Sequence, residues 1–424
     1  MSELTLASHG RPFEAAVTVP GDKSLSHRAV LFASMAEGDS YIEGMGTGAD
    51  VASTINAMRA LGVSIDGKEV RSPGIRLWRQ PAEPIDCGNS GTTMRLVAGV
   101  LSTSTVAATL VGDTSLSRRP MARLVAPLES LGGVISTSMA GTAPLNVGGS
   151  ASATNASWQL SVASAQLRTA FELAALAADG ESTIDSPPGF RDHTERWLHA
   201  IGRGRWATPT AFVVEPGPIP AAKYQIPGDP SSAAFLWACA AISPGSRVTT
   251  SSISLNPGRL GFLEILDRMG AGIEAEVSGS MGGDPVGDVT VVGGDLQAVE
   301  VDGDLVASAL DELPLVAVVA AYGEGLTTVR DAAELRAKES DRIASMAKMI
   351  RAMGGGFEER TDGFDVVGTG FLDGATVDPD HDHRIAMAAA VAATRASGDV
   401  VITDADVASV SWPGFYKQLE NLWS

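Results

Sequence analysis

Alanine-rich stretches with apolar residues at helical spacing alternate along this chain with short runs in which every second residue is apolar. The helical stretches end in Leu, Ile or Met followed by Gly, at intervals of 68 to 84 residues. These ends lie at Leu61, Leu131, Ile201, Met269 and Met353, with Leu422 as a truncated sixth. Glycine in the left-handed conformation commonly stops a helix, so each pair predicts a helix end directly before a strand. The recurrence predicts six α/β units, three in each half, rather than a solenoid, whose period is usually about 20 to 50 residues.

Two turns in the chain repeat each other across half its length. Val19-Pro20-Gly21-Asp22-Lys23-Ser24 and Ile226-Pro227-Gly228-Asp229-Pro230-Ser231 each follow an apolar run and open an alanine-rich helical pattern. Both therefore predict a strand, a tight turn and a helix N-terminus. A helix N-terminus with a serine, a glycine turn and a lysine favours an anion, because its backbone N–H groups and dipole attract negative charge. Pro230 replaces Lys23 in the second copy, which predicts that only the first copy keeps this chemistry.

Length and composition fit an enzyme of two large domains, with 424 residues, of which 44% are apolar and 19% charged. No stretch approaches eighteen uninterrupted apolar residues, and the longest, 315–322, predicts no membrane span. Residues 1–19 lack the basic and apolar blocks of a secretory signal. Cys87 and Cys239 are too few for a disulfide framework, which indicates a reducing cytoplasm. The net charge of −19 argues against a nucleic-acid partner.

Of the 31 lysines and arginines, eleven are concentrated in short motifs, and several of these lie beside Gly, Ser or Thr at predicted helix starts. They are Lys23, Arg28, Arg95, Arg118, Arg119, Arg168, Arg191, Arg336, Lys338, Arg342 and Arg384. Arginine forks match planar carboxylates and phosphates, so the pattern predicts ligands with several anionic groups.

At these residues the chain resembles the enolpyruvyl transferases over nearly its whole length, and within them the branch that uses shikimate 3-phosphate. The resemblance rests on nine motifs in the same order. They are Gly21 to Ser24 with Arg28, Asn89 to Arg95, Arg119-Pro120, Ser164 to Gln166, Arg191 to Glu195, Pro227 to Ala233, Leu310 to Pro314, Lys338 to Arg342, and Asp382 to Arg384. It implies an α/β fold, a two-domain inside-out α/β barrel in which each domain has three βαβαββ repeats. The implied domains are 20–225, and 1–19 plus 226–424, joined by two chain crossings.

The resemblance implies transfer of the enolpyruvyl group of phosphoenolpyruvate to the 5-hydroxyl of shikimate 3-phosphate, with release of phosphate. It implies a monomer acting on these small molecules, without a metal, a cofactor, or a nucleic-acid or membrane partner. The implied shikimate 3-phosphate contacts are Lys23, Ser24, Arg28, Ser164, Ala165, Gln166, Arg191, Asp311 and Lys338. The implied phosphoenolpyruvate contacts are Lys23, Gly91, Arg119, Gln166, Arg342 and Arg384. Asp311 is the expected base for the 5-hydroxyl, and Lys23 and Glu339 are expected to exchange the other protons.

Several residues favour a structural interpretation. The run Asp380-His381-Asp382-His383 is a poor metal site, because neighbouring ligands alternate in direction and no second Cys or His cluster completes it. His193 and Glu195 are expected at a helix start, and Cys87 and Cys239 as small buried residues. The basic segment 201–207 has no predicted role.

Some departures and alternatives remain open in the sequence. Val410 stands where many members of the family place a lysine, and Arg168 stands where a lysine is common. A transferase acting on a UDP-sugar shares the fold, but usually carries a Cys in the loop corresponding to 112–120, which has none here. A P-loop kinase is disfavoured because the first glycine of its motif is missing before Lys23. A non-catalytic binding paralogue is the remaining alternative, and the retained acid-base residues argue against it.

Overall fold

The computed structural model describes residues 2–150 and 152–424, and the chain divides into two compact units. The N unit comprises Gly21–Pro227 and Ser280–Asp284, and the C unit comprises Met1–Pro20, Gly228–Gly279 and Pro285–Ser424. By this division the chain changes unit at four points.

The regular elements of the described residues alternate between helix and strand. The α-helices are α1 (Lys23–Met35), α2 (Ala49–Ala60), α3 (Gly91–Ser102), α4 (Val125–Ser130), α5 (Ala165–Ala175), α6 (His193–Ala200), α7 (Pro230–Ala241), α8 (Gly261–Met269), α9 (Gly303–Ala309), α10 (Leu313–Tyr322), α11 (Arg342–Ala352), α12 (His383–Ala393) and α13 (Phe415–Glu420). The strands are β1 (Leu4–Leu6), β2 (Glu14–Val17), β3 (Glu37–Glu43), β4 (Ser64–Asp66), β5 (Glu69–Pro73), β6 (Ile85–Asp86), β7 (Ala108–Val111), β8 (Ile135–Ser136), β9 (Leu145–Val147), β10 (Ser157–Gln159), β11 (Ser182–Asp185), β12 (Gly204–Trp206), β13 (Phe212–Val214), β14 (Lys223–Gln225), β15 (Arg247–Ser254), β16 (Gly272–Met281), β17 (Asp284–Val292), β18 (Glu300–Val301), β19 (Glu324–Val329), β20 (Gly356–Arg360), β21 (Gly363–Thr369), β22 (Thr376–Val377) and β23 (Val400–Ile402).

The described strands form six sheets that repeat one arrangement. In the sheet β6-β7-β9-β8, β6 is parallel to β7, β7 is antiparallel to β9, and β9 is antiparallel to β8. The sheets β10-β11-β13-β12, β14-β3-β5-β4, β16-β17-β15-β2 and β18-β19-β21-β20 have the same order, and β1-β23-β22 is a shortened version. Three of the five four-stranded sheets each come from one continuous βαβαββ repeat, and the other two, with β14 and β2, take one strand from far away in the chain. The predicted fold class is confirmed.

The strand before each Pro-Gly-Asp turn pairs, within its own unit, with a strand that lies far away in the chain. β2 precedes the turn at Gly21 but is parallel to β15, whereas β14 precedes the turn at Gly228 but is parallel to β3. A methyl group on Gly21 would collide with the carbonyl oxygen of Gly44, and one on Gly228 would lie 2.8 Å from Ile253 Cδ1. Glycine is therefore required at the first turn, where neighbouring backbone approaches too closely for a side chain, whereas at Gly228 the nearest atoms belong to side chains.

The first helix of each repeat is almost wholly buried. These helices are α1, α3 and α5 in the N unit, and α7, α10 and α12 in the C unit. Their sequences are apolar on most sides, which is typical of a central helix rather than an amphipathic surface helix. Small residues permit close packing, since a methyl group on Gly99 of α3 would collide with the backbone of Ala170 of α5. The three central helices of each unit form its core.

The predicted glycine helix stops are confirmed. Gly62, Gly132, Gly202, Gly270 and Gly354 all have a positive φ, between 68° and 103°. Across residues 2–150 and 152–424, no single helix is long and apolar enough to cross a membrane, although α9 and α10 meet the criterion as a pair bent by 106°.

Candidate functional site

The predicted ligand residues of the N unit lie at the first turns of its three central helices. Lys23, Gly91 and Ala165 are the first residues of α1, α3 and α5. The residue before each one caps its helix with a side-chain oxygen, namely Asp22, Ser90 and Ser164. Because the first backbone N–H groups of a helix have no partner inside the helix, these turns attract anions. The first turn of α1, which begins with Lys23, has the composition that the sequence predicted for an anion site.

Side chains at the starts of α3 and α5 contact one another directly. Arg95 Nη1 donates to Gln166 Oε1 at 2.6 Å, and Gln166 Nε2 donates to Thr92 Oγ1 at 2.9 Å. Arg119 Nη2 donates to Asn89 Oδ1 at 2.6 Å. The structure therefore brings Gln166 together with the 89–95 motif. Arg95 was predicted among the cations of an anion site, but it was not assigned to either substrate.

Lys23 forms an ion pair that the sequence did not predict. Its Nζ lies 3.1 Å from Asp50 Oδ2 in the first turn of α2. Lys23 is partly exposed, so an anion can approach its ammonium group. Asp50 belongs to no recognisable sequence motif, and it reaches Lys23 only because α1 and α2 pack together.

Arg28 is buried on α1, and its guanidinium is held from three directions. Its Nε donates to Thr194 Oγ1 at 2.7 Å, and its Nη2 donates to Thr169 Oγ1 at 2.9 Å. Its Nη1 donates to the carbonyl oxygen of Ser24 at 3.0 Å. The two threonine hydroxyls are themselves 2.7 Å apart and link α5 to α6. These contacts fix the direction of the arginine without neutralising it.

A second buried layer lies beside this threonine pair. Arg168 Nε is 2.5 Å from Glu195 Oε1 and 3.9 Å from Glu172 Oε1, and all three side chains are within 1% of complete burial. Burial and the neighbouring Glu195 raise the pKa of Glu172 well above its ordinary value, despite the opposing effect of Arg168. The fold therefore favours the uncharged form of Glu172, beside the ion pair of Arg168 and Glu195. Glu195 lies in the first turn of α6 as expected, but it also has this buried role.

Glu172→Gln is expected to stabilise the chain increasingly as the pH rises. In the unfolded chain a glutamate has a pKa of about 4.3. Between that value and the raised folded pKa, the folded chain keeps a proton that the unfolded chain has released. Its free energy of unfolding therefore falls as the pH rises, by at most about 1.4 kcal/mol per pH unit for this group. Glutamine removes this dependence, which urea unfolding at pH 5, 6.5 and 8 measures.

Glu181→Gln is the matched control for that measurement. Glu181 is exposed and bonds Arg205, which lowers its pKa, so it is ionised in both states above pH 5. Its replacement should give a difference in unfolding free energy that does not change with pH. A Glu172→Gln difference that is equally flat would show that Glu172 is ionised in the folded chain.

Asp311, in the C unit, lies among three of the predicted ligand cations. Its carboxylate oxygens are 3.5 Å from Arg342 Nη1, 4.0 Å from Lys338 Nζ and 4.0 Å from Arg384 Nη2. The side chain is 20% exposed, so a reacting hydroxyl can reach it. The structure therefore brings together four of the five site residues predicted in the C unit around one carboxylate.

Arg342 joins the fifth residue, Glu339, to this group. Its Nη2 lies 2.5 Å from Glu339 Oε2, and its Nε lies 2.8 Å from Asp382 Oδ2. Burial alone lowers the pKa of Arg342, but Asp382, Glu339 and Asp311 together raise it above its ordinary value. For Asp382 burial acts in the other direction and raises the pKa, but the charge of Arg342 outweighs burial, so the pKa of Asp382 lies below its ordinary value. Arg342 is therefore a permanent charge around which the three carboxylates are arranged.

The second Pro-Gly-Asp turn is closed by protein groups. Ser231 at the start of α7 donates to Glu312 Oε1, which also accepts from Arg384 Nη1 at 3.3 Å. Arg259 Nη2 donates to Ser231 Oγ at 2.7 Å and to Asp229 Oδ1 at 2.9 Å. A glutamate carboxylate thus takes the place of an anionic ligand at this helix N-terminus. This explains in physical terms why the second copy needs no lysine.

The histidines and cysteines have structural surroundings. Burial lowers the pKa of His383 to about 4, so its ring is neutral at pH 7. His193 Nδ1 lies 2.9 Å from Asp284 in the N unit. Within residues 2–150 and 152–424, no three His, Cys, Asp or Glu side chains form a group that could hold a metal ion. Cys87 and Cys239 are buried and free, as expected, and burial raises the pKa of Cys87 to about 12.

The predicted site residues fall into one group in each unit. The N unit holds Lys23, Ser24, Arg28, Gly91, Arg119, Ser164, Ala165, Gln166 and Arg191, and the C unit holds Asp311, Lys338, Glu339, Arg342 and Arg384. Arg191 is half-buried in the loop between β11 and α6. Val410 ends the 3₁₀ helix Ala405–Val410 and is half-buried.

Comparisons with known proteins agree over almost the whole chain. A family model described as EPSP synthase (3-phosphoshikimate 1-carboxyvinyltransferase) matches residues 8–419. The 3-phosphoshikimate 1-carboxyvinyltransferase of Herpetosiphon aurantiacus is 43% identical over 419 residues, which cover 97% of each chain. That of Halorhodospira halophila is 44% identical over 410 residues, covering 95% of this chain and 92% of the relative. A solved structure of EPSP synthase from Acinetobacter baumannii is 36% identical, with a TM-score of 0.89, and covers 99% of this chain and 98% of that one.

Proposed function

Because the chain belongs to the EPSP synthase family, we propose that its two groups of site residues bind shikimate 3-phosphate and phosphoenolpyruvate and join them. The enzyme transfers the enolpyruvyl group to the 5-hydroxyl of shikimate 3-phosphate and releases phosphate, a step in the synthesis of aromatic amino acids.

Shikimate 3-phosphate is assigned to the helix starts of the N unit and to two residues of the C unit. Its phosphate and carboxylate require fixed cations and N–H donors, which the α1 and α5 starts offer. The proposed contacts are Lys23, Ser24, Arg28, Ser164, Ala165, Gln166, Arg191, Asp311 and Lys338. The orientation of Arg28 by two threonines supports its place in this set.

Phosphoenolpyruvate is assigned to Lys23, Gly91, Arg119, Gln166, Arg342 and Arg384. Two like unit charges held 4 Å apart repel by about 4 kcal/mol at an effective dielectric constant of about 20. Both substrates carry several negative charges, so binding them side by side requires several cations. The proposed set supplies four.

The acid-base steps are assigned to Asp311, Lys23 and Glu339. Asp311 accepts the proton of the 5-hydroxyl while the hydroxyl oxygen attacks C2 of phosphoenolpyruvate and a proton is added to C3. The tetrahedral intermediate then loses phosphate by cleavage of its C–O bond, and a methyl proton leaves to restore the double bond. Lys23 and Glu339 carry these other protons. The single observation that supports the assignment most is that Asp311 lies within 4.0 Å of Lys338, Arg342 and Arg384.

Phosphate release tests the proposed function directly. Phosphoenolpyruvate is supplied with shikimate 3-phosphate in one reaction and with a UDP-sugar in another, and free phosphate is measured. Release only with shikimate 3-phosphate supports the proposal. Release only with the UDP-sugar would favour the sister enzyme, and no release with either would favour a binding paralogue.

Gly91→Ala should distinguish phosphoenolpyruvate from the longer inhibitor glyphosate, which the family resemblance implies competes with it. A methyl group at this position would lie 2.7 Å from Arg95 Nη1 and 3.5 Å from Arg119 Nη1. The natural glycine places no side-chain atom beside these two arginines, so the unchanged enzyme should be sensitive to glyphosate. Overlap with a tightly packed ligand costs about 1–3 kcal/mol, so the inhibition constant should rise about tenfold relative to the KM for phosphoenolpyruvate.

Gly279→Ala is the control for that comparison, since nothing lies within 4 Å of its added methyl group. It should change neither constant. If the natural enzyme already ignores millimolar glyphosate, or if Gly91→Ala raises both constants equally, the space at Gly91 does not decide discrimination.

We further propose a cytoplasmic monomer without nucleic-acid or membrane partners. The net charge of −19 and the two free, buried cysteines support this. The domain limits 20–225, and 1–19 with 226–424, are likewise proposed. Sedimentation of the purified enzyme measures its mass, and limited proteolysis finds the domain limits.

A further inference from the structure

Arg168 is a fully buried charge that the proposed reaction does not use. It lies on α5, one turn after the N-cap Ser164 and two residues after Gln166. Burying a guanidinium is costly, and replacing a buried ion pair by apolar residues is often neutral or stabilising. Stability is therefore a weak reason for Arg168 and Glu195 to occupy the interior.

The guanidinium of Arg168 contacts both ends of the turn 186–190. Its Nη1 donates to Ser186 Oγ at 3.0 Å, and its Cζ lies over the ring of Phe190, 3.9 Å from the ring centre. The same Nη1 donates to the carbonyl oxygen of Thr210 at 2.8 Å. Its Nε donates to Glu195, which lies on α6 beyond the turn. One planar group thus fixes the turn on three sides, and Arg191 is the next residue of the chain.

The neighbouring cross-helix pair has the same relation to a different arginine. Thr169 of α5 and Thr194 of α6 hold Arg28. Arg168 and Glu195 are the adjacent positions on the same two helices. The first pair thus holds one arginine of the proposed shikimate 3-phosphate site, and Arg168 of the second pair contacts the turn that precedes another, Arg191.

We propose that Arg168 is a positioning residue that, together with Glu195, fixes the turn 186–190 and so places Arg191 against shikimate 3-phosphate. The inference rests on the proposed assignment of Arg191. A lysine at this position has one ammonium group and cannot bond Glu195, Ser186 and Thr210 while stacking on Phe190. The planar fork, rather than the charge, is the property that positions the turn.

Arg168→Lys tests this by keeping the charge and removing the fork. The KM for shikimate 3-phosphate should rise about tenfold, while kcat and the KM for phosphoenolpyruvate stay within about twofold, because only one ligand contact is displaced. A purely structural role would lower the melting temperature or the active fraction without moving this KM. Unchanged KM for shikimate 3-phosphate, or a fall in kcat alone, would overturn the proposal.

A double-mutant cycle separates this proposal from the assignment of Arg191. Arg191→Ala should itself raise the KM for shikimate 3-phosphate, and Arg168→Lys should then have no further effect in that background. Independent, multiplying effects would overturn the positioning role while leaving the assignment of Arg191 intact. An unchanged KM in Arg191→Ala would instead remove Arg191 from the site, and the positioning role with it.

Two further variants complete the test. Arg205→Lys is the matched control, because Arg205 also bonds two partners, Glu181 and Glu215, but on the exposed face of β12. It should leave all constants unchanged. Phe190→Leu keeps an apolar side chain and removes the aromatic face, and it decides the matter if Arg168→Lys does not fold. A several-fold rise in the KM for shikimate 3-phosphate is expected, and an unchanged value would overturn the proposal.

Discussion

Asp311→Asn should lower kcat by about a hundredfold or more, because general-base catalysis typically contributes about 10² to 10⁴ in rate. The amide keeps the shape of the side chain but cannot accept the proton of the attacking hydroxyl. Lys338, Arg342 and Arg384 remain, so the KM for shikimate 3-phosphate should change little. Steady-state kinetics with both substrates measures the two effects separately.

Asp365→Asn is a matched control for the loss of an arginine-paired carboxylate. Asp365 accepts from Arg330 at 2.6 Å and from Arg360 at 2.7 Å, outside the proposed site. Its replacement should lower the free energy of unfolding and leave kcat unchanged when it is assayed well below the melting temperature. Turnover of Asp311→Asn within a few-fold of the natural enzyme would remove Asp311 from the proposed mechanism.

The repeated architecture was predictable because it depends on local signals. Each glycine helix stop, such as Gly62 or Gly354, is set by the conformation of its own backbone, and the structure confirms all five. The Pro-Gly-Asp turns were equally visible, since proline, glycine and a capping aspartate each have a fixed local meaning. The pairing of β2 with β15 and of β14 with β3 was not visible in periodicity, because strand pairing depends on residues far away in the chain.

The partners of the site residues were the part that the sequence could not supply. Asp50, Thr169 and Thr194 have no motif of their own and acquire a role only when α1, α2, α5 and α6 pack together. Glu172 is an extreme case, since a glutamate within an alanine-rich helix ordinarily predicts an exposed position. Its burial becomes intelligible only when Glu195 and Arg168 are known to lie beside it.

Closure of the second helix start by Glu312 follows the same rule. The replacement of Lys23 by Pro230 in the repeat predicted that the second copy lacks a ligand, but not what replaces it. A carboxylate from the start of α10 fills that position and at the same time holds Arg384. Duplication therefore explains the two similar turns, and the later packing of side chains explains their different chemistry.

Lys23→Met should lower kcat/KM by about a thousandfold, the largest loss expected for one binding cation that also carries a proton. Methionine keeps most of the length and the apolar stem while removing the ammonium group that is assigned to both ligands. Lys23→Arg should recover part of the affinity for shikimate 3-phosphate but little of kcat, because a guanidinium does not release its proton near neutral pH. Isothermal titration with shikimate 3-phosphate and steady-state kinetics separate the two losses.

Lys68→Met provides the comparison that isolates the position of the charge. Lys68 also pairs with a carboxylate, at 2.8 Å from Glu43 Oε1, and belongs to the same unit, but it is exposed and lies in the turn between β4 and β5. Exposed pairs of this kind contribute little, so neither stability nor kcat/KM should change appreciably. If Lys23→Met retained turnover within tenfold of the natural enzyme, neither proton transfer nor essential charge at the start of α1 could be assigned to Lys23. If Lys23→Arg instead restored full turnover, the charge alone would account for its role, and the transferred proton would have to come from another group.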